Sequence, residues 1–201
     1  MKVSRKIKNM VCMAIFLWLP VGSAMAVAIT ITPATQTITL GDTAAVDIGI
    51  SGLGDHAAPS LGVFDLDILF DPAILSFNSV VFGDPVLGDQ LVLGFGSITE
   101  LKTAVGSINL FELSLESAAD LDSLQPGEFI LARILFNSLS AGDSALQVAV
   151  NDLGDASGAA LTASVSDANI TVSAVPEPDA LFLLTAGLLV IFLWRRKQQL
   201  L

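Results

Sequence analysis

The stretch from Gly62 to Pro72, "GVFDLDILFDP", alternates: Phe64, Leu66, Ile68 and Phe70 share one parity, Asp65, Asp67 and Asp71 the other. Successive side chains of an extended strand point to opposite faces, so this pattern fits a strand with one face buried and one in water. The same signal recurs along the middle of the chain. "AITITP", "TITLG" and "AAVDIGISG" alternate β-branched and polar residues, and Gly or Pro closes each run. "GSINLFELSLES" and "GEFILARILFNSLS" each predict a long strand, the second apolar on both faces and therefore internal to a sheet. "SALQVAVND" and "ANITVS" supply the last strands, and only Ala118 to Leu124 reads as a short helical turn. Many short strands separated by turn signals predict an all-β sandwich.

The two ends of the chain follow other rules. "MKVSRKIKNM" carries Lys2, Arg5, Lys6 and Lys8 without an acid, and the apolar run Val11 to Leu19 follows. Pro20 and Gly22 then break the helix before small residues at Ala24 and Ala26. This is the layout of a secretory signal peptide, residues 1–26, cut by signal peptidase after Ala26. The competing reading, a short N-terminal anchor, suffers from a run too short to span a bilayer. Cys12, the sole cysteine, falls inside the removable segment, so disulfides and cysteine metal sites are not expected in the mature chain.

At the other end Ala180 to Trp194 carries no charge. As a helix it would be about 22 Å long at about 1.5 Å per residue, against a hydrocarbon core of about 30 Å. Such a transmembrane segment spans only with local thinning or drawn-in flanks. The basic cluster Arg195, Arg196 and Lys197 would stay on the cytoplasmic side of the inner membrane, leaving the domain outside.

The domain between these ends, residues 27–174, holds only Lys102 and Arg133 against eighteen acids, a net charge of −16. That field repels nucleic acid and anionic lipid and attracts cations or basic partners. No nucleic-acid partner is expected. The inventory for catalysis is equally thin. His56 is the sole histidine, Tyr is absent, and Trp18 and Trp194 both lie in the end segments. Multi-histidine metal sites are excluded and a histidine triad has no support. His56 beside Asp55 reads better as an exposed loop residue than as a metal ligand. Asp65 and Asp67, about 7 Å apart on one strand face, are the only carboxylate pair suited to a hydrolase. The solvated outer face of a strand explains them more simply, and the chain is read as no enzyme. "VNDLGDASGAAL" offers Asn151, Asp152 and Asp155 as candidate calcium ligands in a Gly-bearing loop, although it lacks the acidic spacing of an EF-hand.

Two resemblances sharpen this reading. Val175, Pro176, Glu177 and Pro178, then one hydrophobic helix, then an Arg-rich end, resemble a PEP-CTERM sorting signal over residues 175–201. Each proline fixes φ and removes an N–H donor, which keeps the motif extended and readable. The resemblance implies an exosortase-type transpeptidase as processing partner, transient membrane residence, and delivery to the surface or exopolysaccharide matrix of a Gram-negative bacterium. "LGVFDLDILFDPAILSF" and "LQPGEFILARILFNSLSAGDSALQV" are similar to cohesin signatures. They imply a jelly roll of about nine strands that binds a protein or polysaccharide ligand. The alternatives are a permanently anchored surface protein and an Asp65/Asp67-dependent polysaccharide hydrolase.

Overall fold

The computed structural model describes residues 26–174, together with Gly187, Leu188 and Arg195 as helical positions. The chain runs β1 (Val27–Thr32), β2 (Thr35–Thr39), β3 (Thr43–Ser51), β4 (Leu61–Leu69), β5 (Leu75–Phe82), β6 (Ser97–Ala104), β7 (Ser107–Ser114), α1 (Ala118–Leu124), β8 (Phe129–Ser138), β9 (Gly142–Asp155), β10 (Ala163–Ser166) and β11 (Ala168–Ser173). One sheet has five strands in the order β10-β1-β3-β8-β5, the other six in the order β2-β11-β9-β4-β7-β6. Neighbours are antiparallel except β1 with β10 and β11 with β2.

The buried residues of the two sheets form one core. Ile29, Ile48, Ile134 and Phe136 enter it from the five-stranded sheet, and Phe64, Leu66, Ile68, Leu110 and Leu146 from the six-stranded one. Each such side chain contributes about 1.5–3 kcal/mol by leaving water. Two aromatic pairs bridge the layers: Phe64 on Phe82 with centroids 6.4 Å apart, and Phe70 edge-on to Phe136 at 5.1 Å.

The alternation in β4 works as the sequence predicts, since Phe64, Leu66 and Ile68 are buried while Asp65 and Asp67 are only half-buried. β8 lies inside its sheet between β3 and β5. Helix α1 occupies the expected residues, capped by Ser117, whose hydroxyl accepts from the Asp120 N–H at 3.2 Å. The strand count is eleven rather than about nine. β5 escapes periodicity because a bulge between Phe77 and Ser79 breaks its alternation. β6 is an edge strand exposed along nearly its whole length, and β10 has only four residues. Among the described residues no helix is long and apolar enough to cross a membrane. The segment 180–194 lies outside the described residues apart from Gly187 and Leu188.

Candidate functional site

On the outward side of the six-stranded sheet, β9, β4, β7 and β6 lie side by side. Their register stacks residues of like orientation across the strands. Asp65 faces Phe111 on β7 and Asp152 on β9, while Asp67 faces Asn109 and Ala149. β9 bulges opposite β4, because Asp65 pairs with Asp152 but Leu66 pairs with Val150, leaving Asn151 as the extra residue. A bulge re-aims side chains, and here it leaves Asn151 and Asp152 both exposed.

One amide holds the two aspartates together. Asn109 Nδ2 donates to Asp65 Oδ1 at 2.5 Å and to Asp67 Oδ1 at 2.9 Å. Asn151 Nδ2 donates to the same Asp65 oxygen at 3.1 Å. Amide donors that fix two carboxylates preorganise them as acceptors for a cationic or N–H-bearing partner. At one end of this polar centre the register aligns Val63, Leu113 and Ile98, the last 51% exposed and Leu113 37% exposed. Lys102 faces Asn109 from β6 and reaches Glu100 at 3.0 Å. The face thus combines fixed acceptors with an apolar border.

Two concavities, of about 390 and 850 Å³, lie elsewhere, around Ile50, Leu87 and Phe129 and around Ala26, Gly52 and Asp55. Asp65 and Asp67 line neither.

The expected calcium loop is arranged differently from its sequence reading. Asn151 and Asp152 belong to strand β9, not to a loop, and Asn151 turns to Asp65. Asp155 ends the strand, and its Oδ1 accepts from Ser157 N–H, Ser157 Oγ–H and Ala159 N–H at 2.9, 2.7 and 2.8 Å. The Ser157 hydroxyl is the largest influence holding the Asp155 carboxyl below its ordinary range. The carboxylate therefore closes its own turn, as an Asx residue does. Among the described residues no group of three or more His, Cys, Asp or Glu is placed to hold a metal ion. His56 stands exposed with φ +53°, its Nε2 3.7 Å from Asp55.

One residue passed unnoticed in the sequence. Glu112 shares its parity with Ile108 and Leu110, and it is fully buried with neither carboxyl oxygen hydrogen-bonded. An acid on the apolar parity of "SINLFELS" is the signal that marks it. Asp89 and Ser97 are its polar neighbours, and burial first, then Asp89, pushes its pKa up to about 8.

Residues 174–197 match the model of the PEP-CTERM protein-sorting motif. Such a motif marks a chain for export and sorting at the cell envelope. Of that segment only Ala174, Gly187, Leu188 and Arg195 are among the described residues, so Val175, Pro176, Glu177, Pro178, Arg196 and Lys197 lie outside them. At the other end Ala24 also lies outside, while Ala26 is exposed and immediately precedes β1. No curated protein matches the chain.

Solved structures match the sandwich. The cohesin CaCohA2 of Clostridium acetobutylicum superposes with a TM-score of 0.55 at 22% identity, over 75% of this chain and 92% of that one. A non-cellulosomal cohesin of Archaeoglobus fulgidus gives 0.54 at 14% identity, over 78% and 96%. The sixth cohesin of Acetivibrio cellulolyticus scaffoldin B, solved with a dockerin, gives 0.57 at 16% identity, over 74% and 99%. The fold is cohesin-like, and the chain joins it to a PEP-CTERM sorting motif.

Proposed function

We propose that this chain is an exported, non-catalytic binding protein displayed at the cell surface or in the extracellular matrix. Residues 1–26 direct export and are removed by signal peptidase at Ala24 and Ala26. Residues 27–174 are the working domain, and 175–201 the sorting segment. An exosortase-type enzyme reads Val175 to Pro178 while the 180–194 helix and Arg195, Arg196 and Lys197 hold the chain at the inner membrane. The observation that carries this reading is the junction of a sorting motif at 174–197 with a cohesin-like sandwich.

The ligand-binding surface is the outer face around Asp65, Asp67, Asn109 and Asn151. Its chemistry favours a protein with a basic patch over a polysaccharide. The carboxylates are fixed as acceptors beside exposed Ile98 and Leu113, and the domain's charge draws cationic partners. Sugar-stacking faces of Trp or Tyr are missing from residues 27–174. Several of the matched cohesins were solved bound to dockerins, which are protein partners.

Intact mass of the protein from membrane, surface and medium fractions tests the route. A species running from Val27 to the neighbourhood of Pro178 is expected outside the membrane. A chain still ending at Leu201 and confined to membranes would make the helix a lasting anchor. Pull-down from the producer's surface proteins with wild type and Asp65→Ala/Asp67→Ala tests the face. Equal recovery by both would remove it as the binding surface.

A further inference from the structure

The outer strand of a sheet turns alternate backbone N–H and C=O groups away from its neighbour, and such edges are ordinarily short, bulged or shielded by charge. The two sheets end in β10, β5, β2 and β6. β10 has four residues and β2 five, and β5 carries a bulge between Phe77 and Ser79. β6 has none of these protections. It runs eight residues, holds no proline, pairs with β7 throughout without a break in register, and is exposed along nearly its whole length.

The sequence of β6 is complementary to itself. Glu100 and Lys102 lie two positions apart on the outer face, 3.0 Å from each other and both exposed. Lys102 is one of two basic residues against eighteen acids in 27–174, so few places let a second copy approach without like charges meeting. Antiparallel pairing of β6 with β6 about Leu101 sets Glu100 of each copy opposite Lys102 of the other. A shift by two residues puts Glu100 on Glu100 or Lys102 on Lys102, and parallel in-register pairing does both. Longer shifts forfeit both charge pairs, and a shift by one opposes outward side chains to inward ones. Among symmetric pairings one register remains. In it Val105 of one copy lies opposite Ser97 of the other, two residues from its Phe95, and both apolar side chains are largely exposed in the single chain.

We propose that the protein forms a two-fold dimer through β6, with the six-stranded sheets of two copies joined into one continuous sheet. The axis stands perpendicular to the sheet at Leu101, so the interface is isologous and both outer faces stay on one side. The dimer therefore presents two Asp65–Asp67 clusters in the same direction.

Sedimentation equilibrium of the full chain in detergent, from about 1 μM to about 1 mM, tests the interface. Salt at about 0.15 M screens charges more than about 8 Å apart and leaves contacting pairs in force. Wild type is expected to dimerise. Lys102→Glu and Glu100→Lys should each weaken self-association about tenfold or more, since each turns two attractions into repulsions. An equimolar mixture of the two variants should dimerise again, because every charge then faces its opposite. Glu100→Lys/Lys102→Glu in one chain should likewise restore the dimer. Both side chains are exposed, so the fold withstands these changes. A wild type that stays monomeric throughout overturns the proposal. So does a dimer unchanged by either single variant, which would place the contact in the C-terminal segment or on another face. Failure of the mixture to recover the dimer overturns it as well.

Discussion

The side chain of Gln125 satisfies both backbone groups of Leu61, sixty-four positions earlier in the chain. Its Oε1 accepts the Leu61 N–H at 2.5 Å, and its Nε2 donates to the Leu61 carbonyl at 3.1 Å. The same nitrogen also donates to Gln90 O at 3.1 Å. One fully buried amide thus ties the end of α1 to the start of β4 and to the 83–96 loop. Gln125→Leu would leave the N–H and carbonyl of Leu61 buried without these partners, at about 1–3 kcal/mol for each. Urea denaturation should show a loss of about 3 kcal/mol or more, with hydrogen exchange accelerated at Leu61.

Glu116 organises the far side of that loop. Its Oε1 accepts N–H groups from Leu93, Gly94, Phe95 and Gly96 at 2.9, 2.6, 2.6 and 3.3 Å. Desolvation pushes the carboxyl up, but these hydrogen bonds outweigh it and hold its pKa below the ordinary glutamate value. A depressed folded pKa gives order that is complete above the unfolded value, about 4.3, and lost as pH falls through the folded one. Amides 93–96 should therefore be protected at neutral pH and lose protection below about pH 4. Glu116→Gln should lose that protection at neutral pH as well, with global unfolding little changed.

Arg133 grips Asp47 through a two-pronged pair, Nε to Oδ1 at 2.5 Å and Nη2 to Oδ2 at 2.7 Å, across directly opposed positions of β3 and β8. The Arg133 side chain is 38% exposed, so water screens part of the attraction. Asp47→Asn should cost about 1 kcal/mol in thermal unfolding at low salt. The cost should shrink in high salt if the attraction, rather than shape, is what is lost.

Asn109 holds Asp65 and Asp67 with a single nitrogen. Its position is half-buried, so water can replace much of what Asn109→Ala removes, and stability should fall by about 1 kcal/mol. Partner recovery in the surface pull-down should fall far more, because the two carboxylates lose their fixed orientation. Unchanged recovery would show that the amide serves the fold alone.

Where the chain's own periodicity carries the information, the fold is legible. β4 reads directly from Phe64, Leu66 and Ile68, and α1 as a short helical turn over Ala118 to Leu124, while its cap at Ser117 emerges only from the structure. β6 is not legible, because an edge strand wet on both sides has no apolar parity to display. The site divides in the same way. Asp65 and Asp67 stand out as neighbours on one strand, but Asn109 and Asn151 meet them only through the register of β7 and β9. Asn151 owes its aim to a bulge, which appears only when β4 and β9 are aligned. Glu112 was readable from parity, whereas Asp89 comes to it by a loop path that no local pattern encodes.

The parallel pairings of β1 with β10 and of β2 with β11 have a consequence in time. The first two strands made each pair with one of the last two, so β1 and β2 both lack that neighbour until residues 163–173 arrive. A chain emerging from its N-terminus cannot finish folding early, since these closures join its most distant segments. β11 ends at Ser173 and the matched sorting motif begins at 174, leaving no slack between them. The last stitch of the sandwich and the first residue of the address thus emerge together, and any enzyme acting at Pro176 to Pro178 meets a domain that has only just closed.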